Sequence, residues 1–127
     1  MSTREKLNTI ERSLKALEGS IAEIEQEIQV LDRKTLQDAS EWWKDGKYLY
    51  LVYPADKSGN RKREYIGSDP RRIAEARERI AEYHWRANLK VTRARWRETV
   101  RDANYHIDRA VMAFNQVQLE LSGVGDD

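Results

Sequence analysis

The chain has 127 residues, of which 35% are charged, 39% hydrophobic and 9% aromatic. Its 23 Lys and Arg residues nearly balance its 22 Asp and Glu residues, so the net charge of +1 indicates no charged partner. The absence of Cys excludes disulfides, thiol nucleophiles and cysteine metal sites. High charge with only 6 Gly and 2 Pro residues is typical of long or coiled helices, and the length predicts a single domain over 1–127.

No apolar run approaches the roughly 18 residues that a membrane span needs. Residues 1–6 are polar and lead directly into a heptad pattern, which is unlike a secretory signal. We therefore expect a cytoplasmic protein that does not enter a membrane.

The first predicted element is a coiled-coil helix over 4–38. Its apolar residues are spaced alternately three and four apart and so define four heptads. The a positions followed by the d positions are Leu7, Leu14, Ile21, Ile28 and Ile10, Leu17, Ile24, Leu31. All four e positions are acidic, which favours a partner helix with basic flanks over a parallel copy of the same helix.

The second predicted element is a β-hairpin over 42–67, with strands at 47–53 and 61–66 joined by turn residues at 54–60. The two faces of its first strand are both apolar: Tyr48, Tyr50, Val52 and Leu49, Leu51, Tyr53. A lone hairpin is marginally stable in water, so we expect it to pack on the helices, with Trp42 or Trp43 over one face.

The third predicted element is helical over 70–121, with Asp69 as N-cap and Pro70 at the first helical position. Two apolar stripes follow: Ile73, Ala76, Ile80, Tyr83, Ala87 and Val100, Ala103, Ile107, Ala110, Phe114, Val117, Leu121. Their registers do not join, so the segment is either one long helix with a register shift or two helices. Residues 122–127 should form a frayed tail.

These elements predict a mostly α fold: an antiparallel helical coiled coil of two or three long helices with an inserted two-stranded β-hairpin at one end. Ile28 should then lie near Ile80. The stripe that contains Ile107, Phe114 and Val117 extends beyond the first helix, so it must pair with a second copy or fold back as a third helix. The absence of turn residues before this stripe favours a homodimer over a monomeric three-helix bundle.

The near-zero net charge conceals an uneven distribution, because residues 1–45 carry seven basic and ten acidic side chains and residues 57–97 carry thirteen and five. The basic residues either contact phosphates, with Tyr50, Tyr65 or Trp43 stacking on bases or sugars, or pair with the acidic first helix. Helix pairing explains the run from Arg86 to Arg101 better, whereas the hairpin cluster 61–63 has no obvious acidic partner.

The sequence carries no pattern typical of an enzyme. There is no phosphate-binding glycine loop, metal-spaced cluster or nucleophile elbow. His84 and His106 would lie about 33 Å apart on one helix and could not share a metal. We expect no catalytic residue, no metal and no cofactor.

The hairpin sequences Gly46-Lys-Tyr-Leu-Tyr-Leu-Val-Tyr53 and Arg61-Lys-Arg-Glu-Tyr-Ile-Gly67 resemble a pattern found in small uncharacterised coiled-coil proteins of phages, bacteria and archaea. This pattern is Tyr-x-Tyr-x-x-Tyr followed by Lys-x-x-Tyr-Ile-Gly. More loosely, the segment is similar to the arm-binding domains of phage-type integrases, which bind DNA through the strands of a three-stranded sheet. The resemblance implies a phage or mobile-element origin and assigns no catalytic residue.

The leading hypothesis is a non-enzymatic coiled-coil accessory or regulatory protein, acting as a homodimer, that binds nucleic acid through the basic hairpin and the adjoining helix start. Its binding residues would be Arg61, Lys62, Arg63, Tyr65, Tyr50, Arg71 and Arg72. The alternative is a protein–protein interaction module, either an adaptor or a phage-encoded inhibitor of a host protein. In a third, purely structural interpretation, the long helices act as a spacer.

Overall fold

The computed structural model describes residues 1–124 and shows a mostly α protein with two long helices packed together and a three-stranded antiparallel sheet between them. The elements are α1 (Thr3–Asp32), β1 (Ser40–Lys44), β2 (Tyr48–Val52), β3 (Arg63–Gly67) and α2 (Pro70–Val124). The predicted fold class is confirmed, but the inserted sheet has three strands where the sequence predicted two. Within the described part of the chain, no helix is long and apolar enough to span a membrane.

The chain divides into two compact units, one comprising Ile24–Val91 and the other Met1–Glu23 with Thr92–Asp127. The first holds the sheet and both buried clusters that are described below. The second holds the first part of α1 and the last part of α2. Each is described separately.

The helix boundaries confirm one prediction at the start of α2 and correct another at the end of α1. Asp69 caps α2, because its Oδ1 accepts a hydrogen bond of 3.0 Å from the Arg71 backbone N–H. α1 ends at Asp32, six residues before the predicted end at residue 38. Beyond Leu31 the next two seam positions are polar, and the chain leaves the helix so that Leu36 packs back into the core instead.

α2 is a single continuous helix, so the two-helix alternative for residues 70–121 is wrong. Residues 122–124, predicted as the beginning of a frayed tail, belong to this helix. The rest of the predicted tail, 125–127, lies outside the described residues.

The first buried cluster of Ile24–Val91 joins the end of α1 to the middle of α2. It consists of Ile28, Leu31, Leu36 and Leu89, with Ile24 and Tyr83 packed against it. The sequence predicted that Ile28 lies near Ile80, but in the structure Ile28 packs with Leu89. The linker explains the difference. Residues 33–39 lie along α2, where Lys34 forms an ion pair of 2.9 Å with Glu82, and they shift the residues of α2 that face α1.

Polar contacts reinforce this helix pair. The Asp32 carboxylate forms ion pairs of 3.4 Å with both Arg86 and Lys90. The indole N–H of Trp85 donates a hydrogen bond of 2.6 Å to Glu27. The expected pairing of the acidic first helix with the basic run of the second is thus present at these positions.

The second buried cluster joins the sheet to the start of α2. Leu49, Leu51 and Ile66 from the sheet pack on Ala76, with Ile73 and Ile80 beside them. Leu49 and Leu51 are fully buried and the residues between and around them on β2 are half-buried, which confirms the predicted assignment of faces. The sheet consequently has one face on α2 and one face turned away from it.

The strand order is β1-β2-β3, and all neighbours are antiparallel. Three residues, 45–47, join β1 to β2: Asp45 and Gly46 have φ of 54° and 65°, and the Lys47 N–H donates a hydrogen bond to the Lys44 carbonyl over 3.1 Å. Two successive positive φ values are typical of a type I′ hairpin turn. Because of this turn, β1 pairs with β2 as a third strand, which the sequence did not reveal.

In the unit formed by Met1–Glu23 and Thr92–Asp127, burial decreases towards the ends of the helices. Ile21 is buried and Leu14 and Leu17 are half-buried, as are Trp96, Val100, Ala103 and Ile107 in α2. The outer seam residues are exposed: Leu7 by 61%, Ile10 by 42%, Phe114 by 69%, Val117 by 49% and Leu121 by 68%.

Candidate functional site

The face of the sheet that is turned away from α2, here called the outer face, collects residues from all three strands. Strand alternation and the observed register place eight residues on it. They are Ser40, Trp42, Lys44, Tyr48, Tyr50, Val52, Arg63 and Tyr65. None of these eight residues is acidic.

Three aromatic side chains form a row across the outer face, one from each strand. Trp42, Tyr50 and Tyr65 are directly opposite one another in the register of the sheet. The ring centroids of Trp42 and Tyr50 lie 5.2 Å apart and those of Tyr50 and Tyr65 lie 5.1 Å apart. Trp42 is 44% exposed and Tyr65 is 52% exposed, so solvent reaches both ends of the row.

Basic side chains surround this aromatic row. The Arg63 guanidinium lies 5.4 Å from the centre of the Trp42 ring, and the Lys47 ammonium lies 5.5 Å from the centre of the Tyr48 ring. Lys44 lines a shallow depression that also contains Tyr48, Tyr50, Tyr65 and Asp45. Within residues 1–124, Arg63, Lys44 and Lys47 form no ion pair with a carboxylate.

The acidic side chain of β1 points to the opposite face, where α2 neutralises it. The Glu41 carboxylate accepts bonds of 2.6 and 3.3 Å from the Arg77 guanidinium. These bonds from Arg77 lower the pKa of Glu41 against the smaller opposing effect of its burial. Trp43 lies on this same side, with its ring 5.8 Å from the Arg77 guanidinium.

The acidic side chain of β3 is neutralised in the same way. Glu64 pairs with Arg79 over 3.2 Å and accepts a hydrogen bond of 2.7 Å from the Tyr53 hydroxyl. Burial, and then the bond to Glu64, raise the pKa of the Tyr53 hydroxyl. Both strand carboxylates are therefore on the inner face and paired, which leaves the outer face with an excess of positive charge.

The structure brings together only part of the predicted binding set. Tyr50, Tyr65 and Arg63 lie together on the outer face. Arg61 is exposed in the loop before β3, and Lys62 lines a groove on the helix side of the sheet with Tyr53.

Arg71 and Arg72 are not brought together with the two tyrosines. They belong to the first turn of α2, which packs on the inner face of the sheet. Arg71 pairs with Glu75 of its own helix over 3.4 Å, and Arg72 lines a groove that contains several carboxylates. A single surface made of the hairpin and the helix start, as the sequence suggested, is therefore not assembled.

The sequence predicted Trp42 or Trp43 over one face of the hairpin, and Trp42 does lie beside Tyr50, but it did not reveal β1 or the contribution of Lys44. It proposed Trp43 for stacking, but this residue lies on the inner side with Arg77. The signal that could have located β1 is the dipeptide Asp45-Gly46, because Asp-Gly between two strands is typical of a type I′ hairpin turn. Once this turn is recognised, the alternation along β1 places Trp42 beside Tyr50.

Among residues 1–124, no group of three His, Cys, Asp or Glu side chains could hold a metal ion. The outer face is thus characterised by aromatic rings and positive charge. Comparisons of the chain with models of protein families, with curated proteins and with solved structures give no match.

Proposed function

We propose that this protein binds single-stranded nucleic acid on the outer face of its sheet, as a non-enzymatic accessory or regulatory protein. The observation that carries the proposal is the exposed row of Trp42, Tyr50 and Tyr65, which adjoins cations that have no carboxylate partner within residues 1–124. Aromatic rings offer stacking surfaces to bases, and cations offer contacts to phosphates.

The geometry favours single strands over a duplex. Stacking on a side chain requires a base with an open face, which a paired and stacked duplex does not offer. Duplex binding through the basic hairpin and the helix start would need both of them on one surface. Arg71 and Arg72 lie on the other side of the sheet from Tyr65, so that combination does not support duplex binding.

The charge distribution supports the outer face as the surface that binds phosphates. Part of the positive charge counted in the middle of the sequence is neutralised by ion pairs within the chain, since Arg77, Arg79 and Arg86 each pair with a carboxylate. Within residues 1–124, the cations around the outer face are among those that form no ion pair with a carboxylate, so they remain available to phosphates. Binding driven by such contacts weakens as salt concentration rises, because condensed counterions are released on binding.

The resemblance of the hairpin to small phage and prokaryotic proteins supports a phage or mobile-element setting, which places the proposed function in the cytoplasm of a host cell. The third strand agrees with the looser similarity to integrase arm-binding domains, which bind DNA through the strands of a three-stranded sheet. DNA is therefore the nucleic acid to test first, in both single-stranded and duplex forms.

Fluorescence anisotropy of a labelled 12-nucleotide strand and of the matching duplex, at about 50 and about 200 mM salt, tests the proposal. The single strand should bind more tightly, and its affinity should fall at the higher salt concentration. Trp42→Ala and Tyr65→Ala should each weaken binding roughly 5- to 150-fold, which corresponds to about 1–3 kcal/mol for one stacked base. Tyr105→Ala is the matched control, because Tyr105 is 59% exposed on α2 and lies off the sheet.

Absence of binding at about 50 mM salt would refute the proposal. Tighter binding of the duplex would refute its single-strand part. If Trp42→Ala and Tyr65→Ala bind as well as Tyr105→Ala does, the nucleic acid lies elsewhere on the protein.

The composition of the outer face favours one alternative. Trp, Tyr and Arg are also the residues most enriched at the centres of protein–protein interfaces, and here Trp42, Tyr50 and Tyr65 form a row with the Arg63 guanidinium over the Trp42 ring. A protein partner would make this chain an adaptor or an inhibitor of a host protein. A stoichiometric protein complex that nuclease leaves intact and that Trp42→Ala abolishes would favour this alternative.

A further inference from the structure

A second surface, independent of the sheet, lies in the unit formed by Met1–Glu23 and Thr92–Asp127. Eight large apolar side chains are between 42% and 69% exposed there and form what we call the helix-end patch. They are Leu7 and Ile10 of α1 with Val111, Met112, Phe114, Val117, Leu119 and Leu121 of α2. Monomeric proteins rarely leave so many neighbouring apolar side chains exposed.

The helix-end patch continues the heptad seams of both helices. In α1, Leu7 and Ile10 precede the half-buried seam residues Leu14 and Leu17 at the same alternating spacing. In α2, Phe114 and Val117 continue the spacing of the half-buried residues that end at Ile107. The patch is therefore the uncovered end of a packing surface that is already in use within the chain.

The end of α2 is also uncharged and apolar on more than one side. Residues 110–119 contain no charged side chain, although 35% of the whole chain is charged. At 100° per residue, Met112 and Leu119 lie on the side of the helix opposite Phe114. A helix that is apolar around much of its circumference is normally covered by several neighbours.

We propose that the helix-end patch is the contact between two copies of this chain, related by a two-fold axis. In this dimer the end of α2 and the start of α1 of one copy pack against the same segments of its partner. The competing explanation from the sequence, that the end of the chain folds back as a third helix, is excluded because α2 runs without a break to Val124.

Two properties favour a second copy over another protein. Near a two-fold axis every side chain meets its own kind, so a charged residue would face a like charge; the uncharged run 110–119 avoids this repulsion. The six side chains other than Met112 and Leu119 together expose on the order of 600 Å² per copy, which approaches the about 800 Å² that each partner contributes to an interface of standard size.

Analytical ultracentrifugation in the absence of nucleic acid tests this proposal independently of the proposed function. At protein concentrations up to about 0.1 mM, the wild type should show twice the chain mass of 15.0 kDa. Phe114→Glu and Leu7→Glu should each shift the mass to that of a single chain, because each places two unpaired carboxylates in an apolar interface. Asn104→Glu, at an exposed polar position of α2, is the charge-matched control and should remain a dimer.

Circular dichroism shows whether the variants stay helical, as expected for substitutions at exposed positions. A second measurement does not depend on the charged variants. Since the chain has no Cys, Val117→Cys provides a single thiol that a short bis-maleimide should cross-link between two copies, whereas Asn104→Cys should give no cross-link.

A wild type of 15.0 kDa throughout the concentration range overturns the proposal. So does a dimer that Phe114→Glu and Leu7→Glu leave intact, because such a dimer uses another surface. Loss of the dimer in both variants, with Asn104→Glu unaffected, supports the helix-end patch as the interface.

Discussion

Gly67 provides a quantitative test of how the sheet is held. It ends β3 opposite Leu49 with a φ of 98°, next to an irregularity in the pairing of β2 with β3. An added Cβ would lie 3.4 Å from the Tyr65 hydroxyl oxygen, which is an ordinary van der Waals contact. The cost of Gly67→Ala is therefore the backbone cost of a positive φ, about 1–2 kcal/mol, and not a steric clash.

Gly59 is the matched control for this substitution. Its φ of 84° is similar, and an added Cβ would meet nothing within 4 Å. Gly59 lies in an exposed loop whose hydrogen bonds run to Asp56 of the same loop, so a change in its backbone angles disturbs no buried residue, whereas Gly67 is paired to the fully buried Leu49. Gly59→Ala should therefore cost less than Gly67→Ala.

Urea unfolding followed by far-ultraviolet circular dichroism measures both losses in the free energy of unfolding. The expected order is a larger loss for Gly67→Ala than for Gly59→Ala, with unchanged dependence on urea concentration. Equal losses, or a stabilised Gly67→Ala variant, would refute the view that burial of Leu49 fixes the backbone at Gly67.

Two further predictions concern single contacts. Glu41→Gln should lower the free energy of unfolding by about 0.5–1 kcal/mol near pH 7. Because the Arg77 pair lowers the pKa of Glu41 in the folded protein, its stabilisation is present above the pKa of the unfolded carboxyl and is lost as the pH falls through the folded value. The wild type and Glu41→Gln should thus converge towards about pH 3 in urea unfolding, and a difference that is constant with pH would contradict the mechanism. Asp69→Ala should cost about 1 kcal/mol through loss of the α2 N-cap and Asp69→Asn much less; equal thermal stability of these two variants would show that the cap contributes nothing.

The helices could be predicted because their signals are local and repeated. Four heptads in α1 and the Asp69-Pro70 start of α2 each specify backbone geometry within a few residues. The register between the helices could not be predicted, because it depends on how residues 33–39 are placed. Leu36 is one apolar residue in a polar linker, and its burial against Leu89 follows from tertiary packing alone.

β1 illustrates the opposite case of a weak local signal. All five of its residues are exposed, so the strand carries no alternation between buried and solvated positions. Its identity depends on the turn at Asp45-Gly46 and on pairing with β2. Without β1 the faces of the sheet on which Glu41 and Trp42 lie were unknown. Neither the aromatic row nor the separation of charge between the two faces could therefore be inferred.

The sheet also has a consequence for how the chain folds. Ile28 and Leu89 meet in one cluster although they are 61 positions apart in the sequence. The three strands are consecutive and pair only with their neighbours in the chain, so the sheet can form from local contacts. Once formed, the sheet fixes the distance between residues 40 and 67, so the loop that joins the helices is shortened to residues 33–39 and 68–69, which reduces the entropy cost of bringing the helices together by about 1–2 kcal/mol. The segment that presents the aromatic row would then also nucleate the reversal of the chain, and substitutions that weaken strand pairing should slow folding more than they accelerate unfolding.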